Sequence, residues 1–181
     1  VVQRHYAKGI RSRFAISLIT SVVFGFMVIT VSENTMGSGK ELLSNMLFSH
    51  TSASFTDVIS RFFGTLLTYA NGGAGGIFAP TLSIGGSAAS YIDSFLELDV
   101  GPLAVLIGMT AGLSALTHSP LTSFILVLEM TDRHKAIFPL MLAAVIGHGV
   151  SKLLIYQSFY EFACERILKE CSGQTNTNTT E

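Results

Sequence analysis

The sequence predicts an all-α, polytopic membrane protein built from short and broken helices, and three observations carry that prediction. Charged residues make up 13% of the 181-residue chain against 49% hydrophobic, with a mean hydropathy of +0.52. Soluble domains carry about 25% charged residues. The charge is also unevenly placed: residues 14–31, 62–92 and 101–128 contain no Asp, Glu, Lys or Arg. Such runs approach the ~20 residues that cross a ~30 Å hydrocarbon core. Finally, Gly, Pro and Ser separate the apolar pieces, where a simple bundle would have long charged loops.

Residues 1–13, with Arg4, Lys8, Arg11 and Arg13, read as the cytoplasmic end of an earlier helix or linker, because basic residues flank spans on the cytoplasmic side. A membrane domain is expected over residues 14–170. Its first span, about 13–32, is the one of full ordinary length. It is too long for a signal-peptide core and lacks a small-x-small cleavage site. A break at 36–39 precedes a short helix over 40–48, and a polar stretch at 51–55 precedes a helix over about 56–70. Asn71-Gly72-Gly73 suits a helix C-cap. The next helix is expected over about 77–96, with a loop at 99–101 and a further short helix to about 116. Ser119-Pro120 places an N-cap residue before a proline at the first helical position, opening a segment that ends near Asp132. A span over 136–154 follows. The last helix begins near Ser158, where Ser158-x-x-Glu161 fits a capping box. Residues 171–181 are a Ser/Thr/Asn-rich tail expected to be disordered. The chain begins at Val1 and not at Met, which reads as an excerpt or a processed piece.

A net charge of −1 supplies no field for nucleic acid. Cys164 and Cys171, two helical turns apart, read as free thiols. No cluster of His, Cys, Asp or Glu has metal-ligand spacing, so no metal or cofactor is expected.

The segment from Asn71 to Pro80, Asn-Gly-Gly-Ala-Gly-Gly-Ile-Phe-Ala-Pro, is the most informative stretch. Glycines permit positive φ and close backbone approach. A helix starting at about Ile77 leaves its first N–H groups without intrahelical partners at the positive end of the helix dipole. Pro80 then falls in the first turn, where its missing N–H costs little. Such an end can hold an anion without Lys or Arg. An equally good reading of the residues is a small-residue loop that lets helices pack. A phosphate-binding loop of a nucleotide enzyme is disfavoured, since no Gly-Lys-Ser/Thr follows the glycines.

Gly75-Gly76-Ile77-Phe78-Ala79-Pro80 resembles the G-x-F-x-P signature of the CLC family of chloride channels and proton/chloride exchangers. The run from Pro120 to Asp132, Pro-Leu-Thr-Ser-Phe-Ile-Leu-Val-Leu-Glu-Met-Thr-Asp, looks like the segment that follows in bacterial members, and Tyr160 stands where the family has its ion-coordinating tyrosine. The resemblance implies the second inverted-topology repeat of that fold, about eight helices, in the bacterial pattern without CBS domains. It implies chloride transport and not catalysis, with chloride bound as substrate by the amides of Ile77 and Phe78 and the hydroxyl of Tyr160. Gly75, Gly76, Ala79 and Pro80 would support them. A phenol is a neutral donor; Tyr160 also suits an interfacial aromatic, as does Tyr156. The family's serine loop, gating glutamate and internal proton-transfer glutamate belong to the first half. Gly37-Ser38-Gly39-Lys40-Glu41 only mimics the serine loop and reads as a helix start. The implied partners are the lipid bilayer, the N-terminal half of the same membrane domain and a second subunit, with Leu121, Leu128, Ile137, Leu140 and Leu153 as candidate dimer contacts. The implied location is the inner (plasma) membrane with both ends of the segment cytoplasmic. This segment alone is expected not to conduct. A fluoride-type exchanger and a non-conducting scaffold are the alternatives.

Glu129 reads as a membrane-edge residue that caps or pairs. His118 and His148 can titrate near neutral pH, but their settings favour loop or packing roles. Gly108-x-x-x-Gly112 suits close helix packing.

Overall fold

A computed structural model of the chain describes residues 17–26, 38–49, 51–70, 76–155, 159–161, 164, 165 and 168. In order these form α1 (Ser17–Phe26), α2 (Lys40–Phe48), α3 (Phe55–Ala70), α4 (Phe78–Leu96), α5 (Pro102–Thr117), α6 (Pro120–Thr131), a 3-10 turn (His134–Ala136) and α7 (Ile137–Leu154). No strand occurs among the described residues, in keeping with the all-α prediction.

Local chemistry sets most boundaries. Gly39 takes a left-handed φ of 80° and stops the chain just before α2. Gly101-Pro102 and Ser119-Pro120 start α5 and α6 with proline in the first turn, where a missing N–H breaks no helix bond. Ser119 occupies the N-cap, yet its hydroxyl does not cap. It turns back to the Thr117 carbonyl at 3.5 Å, while the Ser123 hydroxyl bonds the Ser119 carbonyl at 2.8 Å. The C-terminal ends of α4, α5 and α6 are closed by Glu97, His118 and Asp132 in the left-handed region. Asp and His tolerate that conformation better than most side chains.

α5 sits at the centre. It packs most extensively on α4 and then on α7, and also touches α6 and α2. It buries Val105, Leu106, Met109 and Leu113, which meet Leu42, Leu43, Met46 and Leu47 of α2, Leu82 of α4, Val127 of α6 and Leu140 of α7. The nine-residue α2 therefore plugs the core and does not cross a bilayer.

Within a membrane the lipid tails are as apolar as leucine, so helices associate through close packing and interhelical hydrogen bonds. Both devices are present. Gly85 of α4 faces Gly108 of α5 so closely that a Cβ on either one would run into the other's carbonyl oxygen. At Gly147 of α7 an added Cβ would lie 2.6 Å from the Ala111 carbonyl oxygen of α5. The hydroxyls of Ser114 and Ser151 cross between α5 and α7, donating to the carbonyls of Ala144 (2.7 Å) and Ala115 (2.6 Å). Gly108 thus has the packing role read from the sequence, and Gly112 packs beside it, 3.5 Å from the Gly85 Cα measured from its own added Cβ.

The 21-residue segment His134–Leu154 is long and apolar enough to span a bilayer, and only 17% of its most apolar 18-residue stretch is buried. Ser17–Phe26, Pro102–Thr117 and Pro120–Thr131 are apolar but shorter. At 1.5 Å per residue the 12 residues of α6 reach only about 18 Å of a ~30 Å core. The full-length span expected first, at residues 13–32, is described only over α1; the long apolar helix among the described residues is the last one.

Candidate functional site

The anion-site expectation turns on where α4 starts. Ile77 is its N-cap (φ −80°, ψ −23°) and Phe78 its first residue, with no side chain capping the end and no acidic residue in the first turn. Helix geometry leaves the N–H groups of Ile77, Phe78 and Ala79 without intrahelical acceptors, and Pro80 carries none. The first intrahelical bond is Thr81 N–H to the Ile77 carbonyl (3.2 Å), reinforced by the Thr81 hydroxyl on the same oxygen (2.7 Å). Carbonyl oxygens are thus occupied while amide hydrogens point outward. Phe78 is 40% exposed, and a Cβ built on Gly76 meets nothing within 4 Å. An uncapped, uncharged amide cluster facing open space can take an anion.

Nothing among the described residues crowds Gly76. Gly75 and the expected C-cap at 71–73 lie outside the described residues.

α4 is held by its flank. Three of its serines face inward, with Ser83, Ser87 and Ser90 buried, while Ser94 near its end is exposed. The hydroxyls of Ser83 and Ser87 bond carbonyls of their own helix, and Ser90 accepts the Ala53 N–H at 3.1 Å. Three glycines let neighbours approach: Gly85 meets α5, Gly86 meets Leu43 and Met109, and Gly39 sits against Ser83 with its added-Cβ position 3.0 Å from the Arg61 guanidinium. Sequence reading passed over Gly85-Gly86, although a glycine pair inside a helix is itself a sign of close backbone approach.

Tyr160 lies in a helical stretch at 159–161, is 48% exposed, and sets its ring edge-on to Phe159 with centroids 6.1 Å apart. Among the described residues no hydrogen bond or ring contact joins Tyr160 to Ile77 or Phe78. Ser158 and Tyr156 lie outside the described residues.

The candidate dimer contacts separate. Leu121 is 65% and Leu153 88% exposed, whereas Leu128 is partly buried against the core and Ile137 is half-buried. Leu140 is wholly buried in the chain's own core, which corrects its assignment to an outer face. The outward side of α7 instead carries Phe138, Leu142, Val145 and Ile146.

Glu129 is exposed and makes no ion pair among the described residues; near it, His134 Nε2 lies 3.1 Å from an Asp132 carboxylate oxygen. Cys164 is a free, exposed thiol, and Cys171 lies outside the described residues. At the other end of α4, a recess of about 400 Å³ is lined by Asp93, Glu97 and Asp99. Carboxylates there repel an anion, so the Phe78 end is the suitable one.

Comparison with known proteins identifies the family. The sequence profile described as Voltage gated chloride channel matches residues 2–152. The chain is 33% identical over 172 residues to an H(+)/Cl(-) exchange transporter ClcA of Vibrio parahaemolyticus, covering 90% of this chain and 36% of that protein. The transporter of the same name in Vibrio cholerae is 33% identical over 154 residues, covering 81% and 33%. In Klebsiella pneumoniae it is 35% identical over 117 residues, covering 61% and 25%. The chain spans about a third of the length of the curated relatives it matches. The profile runs through every described helix from α1 to α6 and nearly all of α7, and the chain belongs to the voltage gated chloride channel family.

Proposed function

We propose that the protein containing this chain moves chloride across a membrane in exchange for protons, and that the start of α4 forms one side of the chloride site. The observation that carries the reading is the uncapped, uncharged N-terminus at Phe78, facing open space within a largely uncharged chain. Backbone dipoles attract a halide less strongly than a lysine would, which permits release as well as binding. The names of the matched relatives favour proton-coupled exchange over a simple channel. Tyr160 supplies a neutral hydroxyl to the same ion, and the remaining ligands come from the N-terminal half of the membrane domain. The location is the inner membrane, with both ends of this segment cytoplasmic. Two subunits associate through the outer faces of α6 and α7, around Leu121 and Phe138, each keeping its own pore.

The test is chloride binding and chloride-driven proton uptake by the full-length protein in liposomes. Tyr160→Ala removes a hydrogen bond to an ion, and such bonds are worth enough to weaken binding about tenfold. Ile77→Ala leaves the amide in place and shifts affinity by no more than about twofold. Unaltered chloride binding in Tyr160→Ala refutes the tyrosine's role. A large loss in Ile77→Ala refutes the backbone site.

A further inference from the structure

The break between α5 and α6 brings together two histidines that lie far apart in sequence. His118 caps α5 with φ 55°, and its ring stands edge-on to that of His148 on α7, with centroids 5.4 Å apart and planes at 84°. Its Nε2 lies 3.1 Å from the Ser151 Oγ. Ser151 donates its one hydroxyl hydrogen to the Ala115 carbonyl at 2.6 Å, so it can only accept from His118. Neutral His118 therefore carries its hydrogen on Nε2, and its Nδ1 presents a bare lone pair. The Nδ1 of His148 is enclosed and has no hydrogen-bond partner among the described residues. The enclosed His148 Nδ1 is costly if it only fills space, and it lies beside a half-buried His118 whose Nδ1 lone pair is open to a proton.

Among the described residues the elements that form this junction carry little other charge. α5 has no titratable side chain, and the one in α6 is Glu129, nine residues beyond Pro120 and about 14 Å along that helix. α7 contributes the exposed Lys152 one turn past His148; Tyr160, Glu161 and Glu165 follow α7 in the chain.

We propose that His118 and His148 form a proton-binding station on the proton's route through this protein. The inference rests on the exchange reading above. A hydronium ion gives its proton to the Nδ1 lone pair of His118 and leaves as water. The resulting imidazolium keeps its Nε2–H bond to Ser151, and release to another water restores the neutral ring. Repulsion at 5.4 Å disfavours a second cation on His148, so the pair holds one proton at a time. Imidazole is the side chain whose charge ordinarily changes between about pH 5 and 8.

The experiment uses the full-length protein in liposomes, driving proton uptake with a chloride gradient and counting protons moved per chloride. His118→Asn, which tolerates the left-handed cap, and His148→Gln lower that ratio on the order of tenfold. They also flatten the dependence of proton uptake on pH between about 5 and 8. Ser114→Ala cuts the neighbouring α5–α7 hydrogen bond without touching either imidazole, and keeps the wild-type ratio. An unchanged ratio in both histidine variants overturns the proposal, as does an equal loss in Ser114→Ala, which would mark the pair as helix packing. Wild-type vesicles that pass chloride with no coupled protons overturn the exchange reading and the station with it.

Discussion

An alanine at position 108 places a methyl group where the backbone of Gly85 already stands. The added Cβ meets the Gly85 carbonyl oxygen and the Ala89 methyl, and lies 3.0 Å from the Gly85 carbonyl carbon. Backbone atoms cannot rotate out of the way, so α4 and α5 must move apart, and overpacking of this kind costs about 1–3 kcal/mol. Alanine is the better helix former by about 1 kcal/mol, which offsets part of that cost. Four residues on, an alanine at 112 meets the Gly85 Cα at 3.5 Å and the Thr81 carbonyl oxygen at 3.6 Å, both ordinary contacts. It keeps the propensity gain with no clash. Gly108→Ala should therefore be less stable than Gly112→Ala by about 1–3 kcal/mol, although both belong to one Gly-x-x-x-Gly motif. Denaturation of the full-length protein in detergent measures the order, with Gly112→Ala at or above wild type and Gly108→Ala below Gly112→Ala. Since α4 also carries Phe78, Gly108→Ala should weaken chloride binding as well. Equal behaviour of the two variants would refute the placement of the α4–α5 crossing at Gly85 and Gly108.

Leu140 and Phe138 stand two residues apart on α7 with 0% and 83% exposure. Leu140→Ala should cost about 2–5 kcal/mol of stability. Phe138→Ala should leave the unfolding midpoint near wild type and weaken subunit association, read by subunit exchange between labelled proteins. Asp93 accepts the N–H groups of Val100 (3.1 Å) and Gly101 (2.9 Å), tying down the turn between α4 and α5. Asp93→Ala should lower stability by about 1–2 kcal/mol while chloride flux in liposomes stays at the wild-type level.

Much of the helix order was legible because its punctuation is local. Gly39, Gly101-Pro102 and Ser119-Pro120 each restrict the backbone where they stand, and the observed starts of α2, α5 and α6 follow them. The start of α4 falls within one residue of expectation for the same reason. Facing was much less legible. In water a buried leucine and an exposed one differ by the pattern around them, but lipid is as apolar as a protein core. Leu140 and Phe138 therefore look alike in sequence although one faces α5 and the other faces outward. The meeting of His118 with His148 was out of reach for a different cause. It depends on α7 folding back along α5, a long-range packing fixed foremost by Gly147 against the Ala111 backbone.

The placement of α4 follows from the kind of ligand proposed for it. A site made of side chains can correct a small error in helix position by changing rotamers, whereas backbone amides have no such freedom. Their aim is the aim of the helix itself. A neutral helix end also gains nothing from salt bridges nearby, because a close carboxylate would oppose the anion. What remains is packing, and α4 is packed on its flank at Gly39, Gly85 and Gly86, all within its first three turns or against them. In the proposed site the motif from Gly75 to Pro80 supplies the amides, while the packing that aims them comes from glycines outside the motif. Changes at Gly85 or Gly108 should therefore disturb the ion more than changes to the side chain of Ile77, although Ile77 is nearer to it.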